Sequence, residues 1–157
     1  MKASYRSFAV MAALIFGILM NTGQTLQAQD TELVTVQSGK DFDQTVETLR
    51  KLVSKNDMMV MSEINQGKIL SMTGLQLNAT SLFIGNPTIG KKLFSADRGA
   101  GVAVPVRVNI YQNQDGTTYI NYVKPSQQLA PFKNDAVSTI GQMLDNKLGK
   151  LTSMLAK

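Results

Sequence analysis

From residue 32 onward the chain alternates short β-patterned runs with stretches of helical period. Glu32–Gln37 sets Leu33 and Thr35 against Val34 and Val36, the two-residue period of a strand. Ser38-Gly39-Lys40 breaks it. Asp41 is a suitable N-cap with Gln44 three residues on to close a capping box. The helix it opens runs to about Lys55. Phe42, Val46, Leu49, Leu52 and Val53 fall on one of its faces, and Glu47 and Lys51 form a favourable i,i+4 pair. Asn56-Asp57 ends it, and Met58–Ile64 reads as a second strand. Gln66–Thr73 is a short helix or irregular connector carrying Ile69, Leu70 and Met72, stopped by Gly74.

Turn residues and β-formers are densest from Thr80 to Pro125, and the chain is organised around this stretch. Ser81–Ile84 is a buried strand, and Gly85-Asn86-Pro87 is a tight turn. Ile89, Leu93 and Phe94 then share one side of a short helix, and Arg98–Gly101 is a flexible loop. In a strand over Val102–Tyr111, Val104, Val106, Val108 and Ile110 point one way, and Arg107, Asn109 and Tyr111 the other. Asp115-Gly116 marks a hairpin turn, after which Thr118–Val123 returns. Pro125–Pro131 is a linker. From about Asn134 to Ala156 a long helix carries Val137, Ile140, Leu144, Leu148, Leu151 and Leu155 in a near-heptad stripe. The pattern predicts an α+β fold: an antiparallel sheet of four to five strands, flanking helices and a long C-terminal helix. The stripe suits the sheet or a second copy of the chain. Asp145 and Asn146 weigh against a membrane surface.

The first residues follow a different pattern. Lys2 and Arg6 precede an unbroken apolar run, Phe8–Met20, inside the roughly 7–15 residues of a secretory core segment and short of the roughly 20 needed to span a bilayer. A polar stretch follows, ending at Ala28, where cleavage is expected. The expected organisation is therefore a signal peptide over 1–28 and a single domain over 29–157, exported to the periplasm or secreted. No later segment is apolar enough to span a membrane. Loss of Lys2 and Arg6 leaves fourteen basic against eleven acidic side chains, a net charge of +3. The cations are scattered, so no nucleic-acid partner is expected.

The chain contains neither histidine nor cysteine. Disulfides are impossible, and the commonest general base, the thiolate nucleophile and the common zinc ligands are missing. The carboxylates form no paired motif in the sequence. No cofactor and no metal are expected. Met58, Met59 and Met61 have the softness that suits Cu(I), but methionine is equally a filler of irregular cores.

Two stretches are candidate sites. Gly85, Asn86, Thr88, Gly90, Lys91 and Lys92 lie between a strand and a helix N-terminus, where free N–H groups and a nearby lysine can hold an anion. The Ser or Thr that a P-loop places after its lysine is absent, and the plain alternative is a capped strand-to-helix turn. Arg107, Tyr111 and Tyr119, with Tyr122, decorate the hairpin, and tyrosine and arginine are enriched at binding hot spots. Tyrosine is also a good strand former, so the alternative there is a half-exposed sheet face. The expected function is a non-enzymatic binding or interaction module for an unknown small ligand or protein, with self-association as a further option. The alternative is an enzyme acting on a small anionic substrate at the Gly85–Gly90 turn.

Phe83-Ile84-Gly85-Asn86-Pro87, a helix with Gly90 and Leu93, Val104-Pro105-Val106 and Asp115-Gly116 with Tyr122 on the returning strand together resemble an uncharacterised bacterial family, domain of unknown function 302. The earlier helix from Phe42 to Lys55 and the strand ending Glu63-Ile64 fit the same pattern, so the resemblance spans Thr35–Lys124. It implies a small α+β domain with an antiparallel sheet flanked by helices, often dimeric. It implies no activity, so no catalytic residue carries over. Many members have an Asp-His pair where this chain has Asn65-Gln66.

Overall fold

The computed structural model describes residues 32–157, which belong to one compact unit. The expected signal peptide lies outside the described residues. Five strands form one antiparallel sheet in the order β1-β5-β4-β3-β2: β1 (Leu33–Gln37), β2 (Met59–Ile64), β3 (Ala79–Gly85), β4 (Val106–Gln112) and β5 (Thr118–Val123). The helices are α1 (Phe42–Lys55), α2 (Gln66–Ser71), α3 (Pro87–Ala96), α4 (Pro125–Leu129) and α5 (Asp135–Ser153). None of the described helices is long and apolar enough to cross a membrane.

The helix starts follow from side-chain chemistry. Asp41 accepts from the Gln44 N–H at 2.8 Å, which supplies the first half of the expected capping box. Asn134 accepts from Ala136 and Val137 at the start of α5. The salt bridge Glu47–Lys51 closes at 3.1 Å, and its hydrogen bond holds the Glu47 carboxyl below its ordinary range.

One sheet face carries the core. Leu82, Ile84, Val106, Val108, Ile110 and Ile120 are buried there with Val46, Leu49 and Val53 of α1 and the stripe of α5. Val137, Ile140, Leu144, Leu148, Leu151 and Leu155 are all buried within the chain, so the sheet rather than a second copy covers the stripe. Gly141 lets α4 approach α5, because a Cβ there would stand 2.8 Å from the Ser126 Cα. The other sheet face remains partly open, with Thr35, Arg107, Asn109, Tyr111, Tyr119 and Asn121 across its middle.

Five local expectations change. Val102–Val104 does not begin the strand: Gly99–Ala103 forms a 3-10 turn, Val102 is 84% exposed and β4 starts after Pro105. This turn is ordered by its own chemistry, since Asp97 accepts from the Gly99 N–H at 2.7 Å and Ala100 and Ala103 are buried. The expected linker after Lys124 contains helix α4, which Pro125 opens at its first position. Met61 is the extra residue of a bulge between Val60 and Ser62, which interrupts the regular strand expected over Met58–Ile64. Tyr122 pairs with Val34 on the core side and is only 4% exposed, so it does not decorate the open face. Burial pushes its hydroxyl pKa up.

Candidate functional site

The turn expected from Gly85-Asn86-Pro87 forms where β3 runs into α3. Asn86 is tied into the turn by three hydrogen bonds. Its Oδ1 accepts from the Ile89 N–H at 2.9 Å, its backbone carbonyl accepts from Gly90 at 2.8 Å, and its Nδ2 donates to the Asp57 carbonyl. Pro87 has no N–H to offer. The first turn of α3 is thus left with the Thr88 N–H for an anion. Thr88, Lys91 and Lys92 project into solvent.

A cavity of about 230 Å³ opens behind this turn. Ile84, Ile89, Val106 and Leu144 supply its inner wall from β3, α3, β4 and α5. Gly85, Gly90 and Pro105 complete it, with Met61 and Phe94 at the mouth. Met61 is 46% exposed and Phe94 48% exposed. Asn86 is the polar side chain of the wall among the described residues, with its Oδ1 and one amide hydrogen already bonded. No acidic or basic residue lines it among the described residues.

The lining is built by close approaches. A Cβ on Gly85 would stand 2.8 Å from the Met61 methyl, so glycine there lets the bulged Met61 lie across the end of β3. A Cβ on Gly101 would stand 2.5 Å from the Phe94 ring, so the ring rests on the 3-10 turn. The sequence pattern sets Phe94 on one side of α3 with Ile89 and Leu93. Those two are buried, whereas Phe94 turns one position further and reaches the cavity.

The second candidate stretch lies elsewhere, on the open sheet face. The Tyr111 and Tyr119 rings stack with centroids 5.6 Å apart. The Asn109 amide donates to Asn121 at 3.2 Å, and Arg107 Nε donates to the Ser81 hydroxyl at 3.1 Å. A shallow hollow of about 290 Å³ runs beside Arg107, Asn109 and Asn121 to Leu33 and Val123 at the sheet edge. Its polar groups chiefly satisfy one another.

The structure therefore brings Gly85, Asn86 and Gly90 together on one cavity, leaves Thr88, Lys91 and Lys92 outside its wall, and places Arg107, Tyr111 and Tyr119 on a separate surface. Met61, Phe94 and Pro105 were missed as site residues. The available signals were a glycine within a helix four residues before an aromatic, and a methionine within a strand. Where Asn65-Gln66 stands, Asn65 caps α2 by accepting from the Lys68 N–H at 2.7 Å. Nearby, Glu63 is held by Arg50 at 2.6 Å, and this hydrogen bond raises the Arg50 pKa.

Comparison with known proteins places this geometry in a family. In fold, the chain is similar to an uncharacterized conserved protein DUF302 from Bacillus stearothermophilus, with a TM-score of 0.73 at 20% identity, over 78% of this chain and 97% of that one. In sequence it is similar to the fluoride-specific ion channel FluC 1 of Brucella suis biovar 1 (strain 1330), 28% identical over 124 residues, 75% of this chain and 49% of that protein. FluC 1 of Brucella abortus biovar 1 (strain 9-941) is likewise 28% identical over 124 residues, 75% of this chain and 46% of that protein. The chain spans about half the length of these curated relatives. The family model described as domain of unknown function DUF302 matches residues 34–156, and the chain belongs to that family.

Proposed function

We propose that this protein is an exported, non-enzymatic binding module whose ligand site is the groove beside Gly85–Gly90. The observation that carries this is the character of the cavity wall among the described residues: apolar side chains, one polar side chain largely engaged within the fold, and no titratable group. Such a wall can desolvate a ligand and hold it, but it supplies no proton donor, base or nucleophile. Export rests on Lys2, Arg6, the apolar run Phe8–Met20 and the cleavage position at Ala28. The relatives named fluoride-specific ion channels match this chain over about half their length, which suits a module that works beside other domains.

The alternative enzyme would hold an anionic substrate at the same turn. Asn86 and Pro87 leave little donor capacity there, which favours the binding module. The two part on turnover: an enzyme converts its anionic substrate and loses that conversion, fold intact, when Lys91 and Lys92 are both replaced by alanine, whereas the binding module converts nothing.

Self-association through the open sheet face is a second mode of action, favoured by the exposed Leu33 and the half-buried Tyr111–Tyr119 stack.

Native mass spectrometry of the exported protein, purified without added ligand, tests these readings together. The binding module predicts a retained small adduct that is absent from Gly90→Leu. Bare protein at monomer mass contradicts both binding and self-association, and a bare dimer transfers the function to the sheet face.

A further inference from the structure

Gly90 is the unexplained residue of α3. It lies within the helix, where glycine is disfavoured by about 1 kcal/mol relative to alanine. Its φ is not in the left-handed region, and a Cβ built on it meets nothing within 4 Å. Neither backbone geometry nor packing therefore requires glycine. Gly149 of α5 is equally open but borders no cavity, so openness alone would prove nothing. At Gly90 the empty space adjoins the wall of the apolar cavity. Phe94, one turn on, lies on the same helix face and forms the mouth.

The cavity fixes the chemistry of what fits. Among the described residues its wall carries one polar side chain, Asn86, whose Oδ1 and one amide hydrogen are already bonded, and the rest of the wall is apolar, so the inserted group is chiefly apolar. Benzene fills a cavity of about 150 Å³, so the volume of about 230 Å³ suits about six to nine carbons. The mouth is bounded by two rotatable side chains, Met61 and Phe94, and methionine adapts its shape to its neighbour. Lys91 follows Gly90 and is turned from it by about 100°, towards solvent, and no acidic residue among those described lines the wall. Lys91 is thus the exposed cation next in sequence to the wall residue Gly90, and it stands outside the wall itself.

We propose that the groove takes the alkyl end of a medium-chain carboxylate, with Gly90 keeping the chain site open and Lys91 pairing with the head group. This rests on the binding reading above and names its ligand class. The chain end is held by burial alone. The carboxylate stays at the surface, where a lysine adds modest attraction.

The test is isothermal calorimetry on the full exported protein with hexanoate, octanoate and dodecanoate, and with 1-octanol as the neutral probe. Affinity is expected to rise about fourfold for each added methylene up to octanoate, then flatten once the chain exceeds the cavity. Gly90→Ala should weaken octanoate several-fold and Gly90→Leu should abolish binding, while both keep the wild-type circular dichroism. Lys91→Ala should weaken octanoate several-fold and leave 1-octanol unchanged. If octanol binds as tightly as octanoate and Lys91→Ala changes neither, the carboxylate assignment is overturned and the groove stands. If neither probe binds but purified protein carries an adduct that Gly90→Leu lacks, the ligand class is wrong and the binding function survives. If neither probe binds and no adduct is found, the cavity is a packing void and both proposals fall.

Discussion

Helices α3 and α5 both begin at an asparagine cap and both contain glycine, yet they do different work. In α5 the apolar stripe from Val137 to Leu151 is buried against the sheet, and Gly141 is small because Ser126 presses on it. In α3 only Ile89 and Leu93 reach the core, while Gly90 and Phe94 face a cavity with space to spare. The first helix is explained by packing. The second is explained by packing on one side only, and its other side is where binding is assigned.

That contrast can be broken in order of expected effect. Leu148→Ala removes a fully buried side chain of α5 and should cost about 2–5 kcal/mol in chemical denaturation. Phe94→Ala, at a mouth residue that is 48% exposed, should cost about 1–2 kcal/mol at most, since much of its area is already in water. Equal losses would show that Phe94 is a core residue after all.

The glycines should move stability in opposite directions. Gly141→Ala drives a methyl into the Ser126 backbone and should destabilise by about 1–3 kcal/mol. Gly90→Ala meets open space and should stabilise by about 0.5–1 kcal/mol. Thermal melts of the two variants check this. A destabilised Gly90→Ala would mean that the helix needs glycine there for itself.

The smallest effect is a pH dependence. Burial raises the Tyr122 pKa, so the native state holds this proton more tightly than the unfolded chain does. The associated stability is present below the unfolded tyrosine pKa of about 10 and is lost as pH rises through the folded value. Melting temperature should therefore fall above about pH 10, less steeply in Tyr122→Phe. Identical alkaline slopes in the two proteins would place Tyr122 in water.

The architecture was legible wherever one period ran unbroken. The stripe of α5, the alternation of Val106, Val108 and Ile110, and the cap at Asp41 each depend on neighbours close in sequence, and each appears where the pattern puts it. Val102 and Val104 misled because they extend the valine alternation, while Gly99, Gly101 and Pro105 favour a turn, which is what forms. Tyr122 was legible from period two, which sets it on the face of the buried Ile120; its residue type pointed to the open face instead. The Gly85–Gly90 turn was legible as a site, but its chemistry was not. Asn86 and Pro87 could be read as consuming donors. The apolar wall depends on Met61, Pro105 and Leu144, which come from distant parts of the chain and meet only in the fold.

The most direct measurement is a methyl proton–carbon correlation spectrum of the protein, titrated with octanoate. Occupation of the groove predicts progressive shifts at the Met61, Ile84, Ile89 and Leu144 methyls, with those of Val34 and Leu155, outside the cavity wall, unmoved. Shifts spread evenly over the core, or confined to Leu33 and Val123 on the open sheet face, would contradict the assignment of the groove as the ligand site.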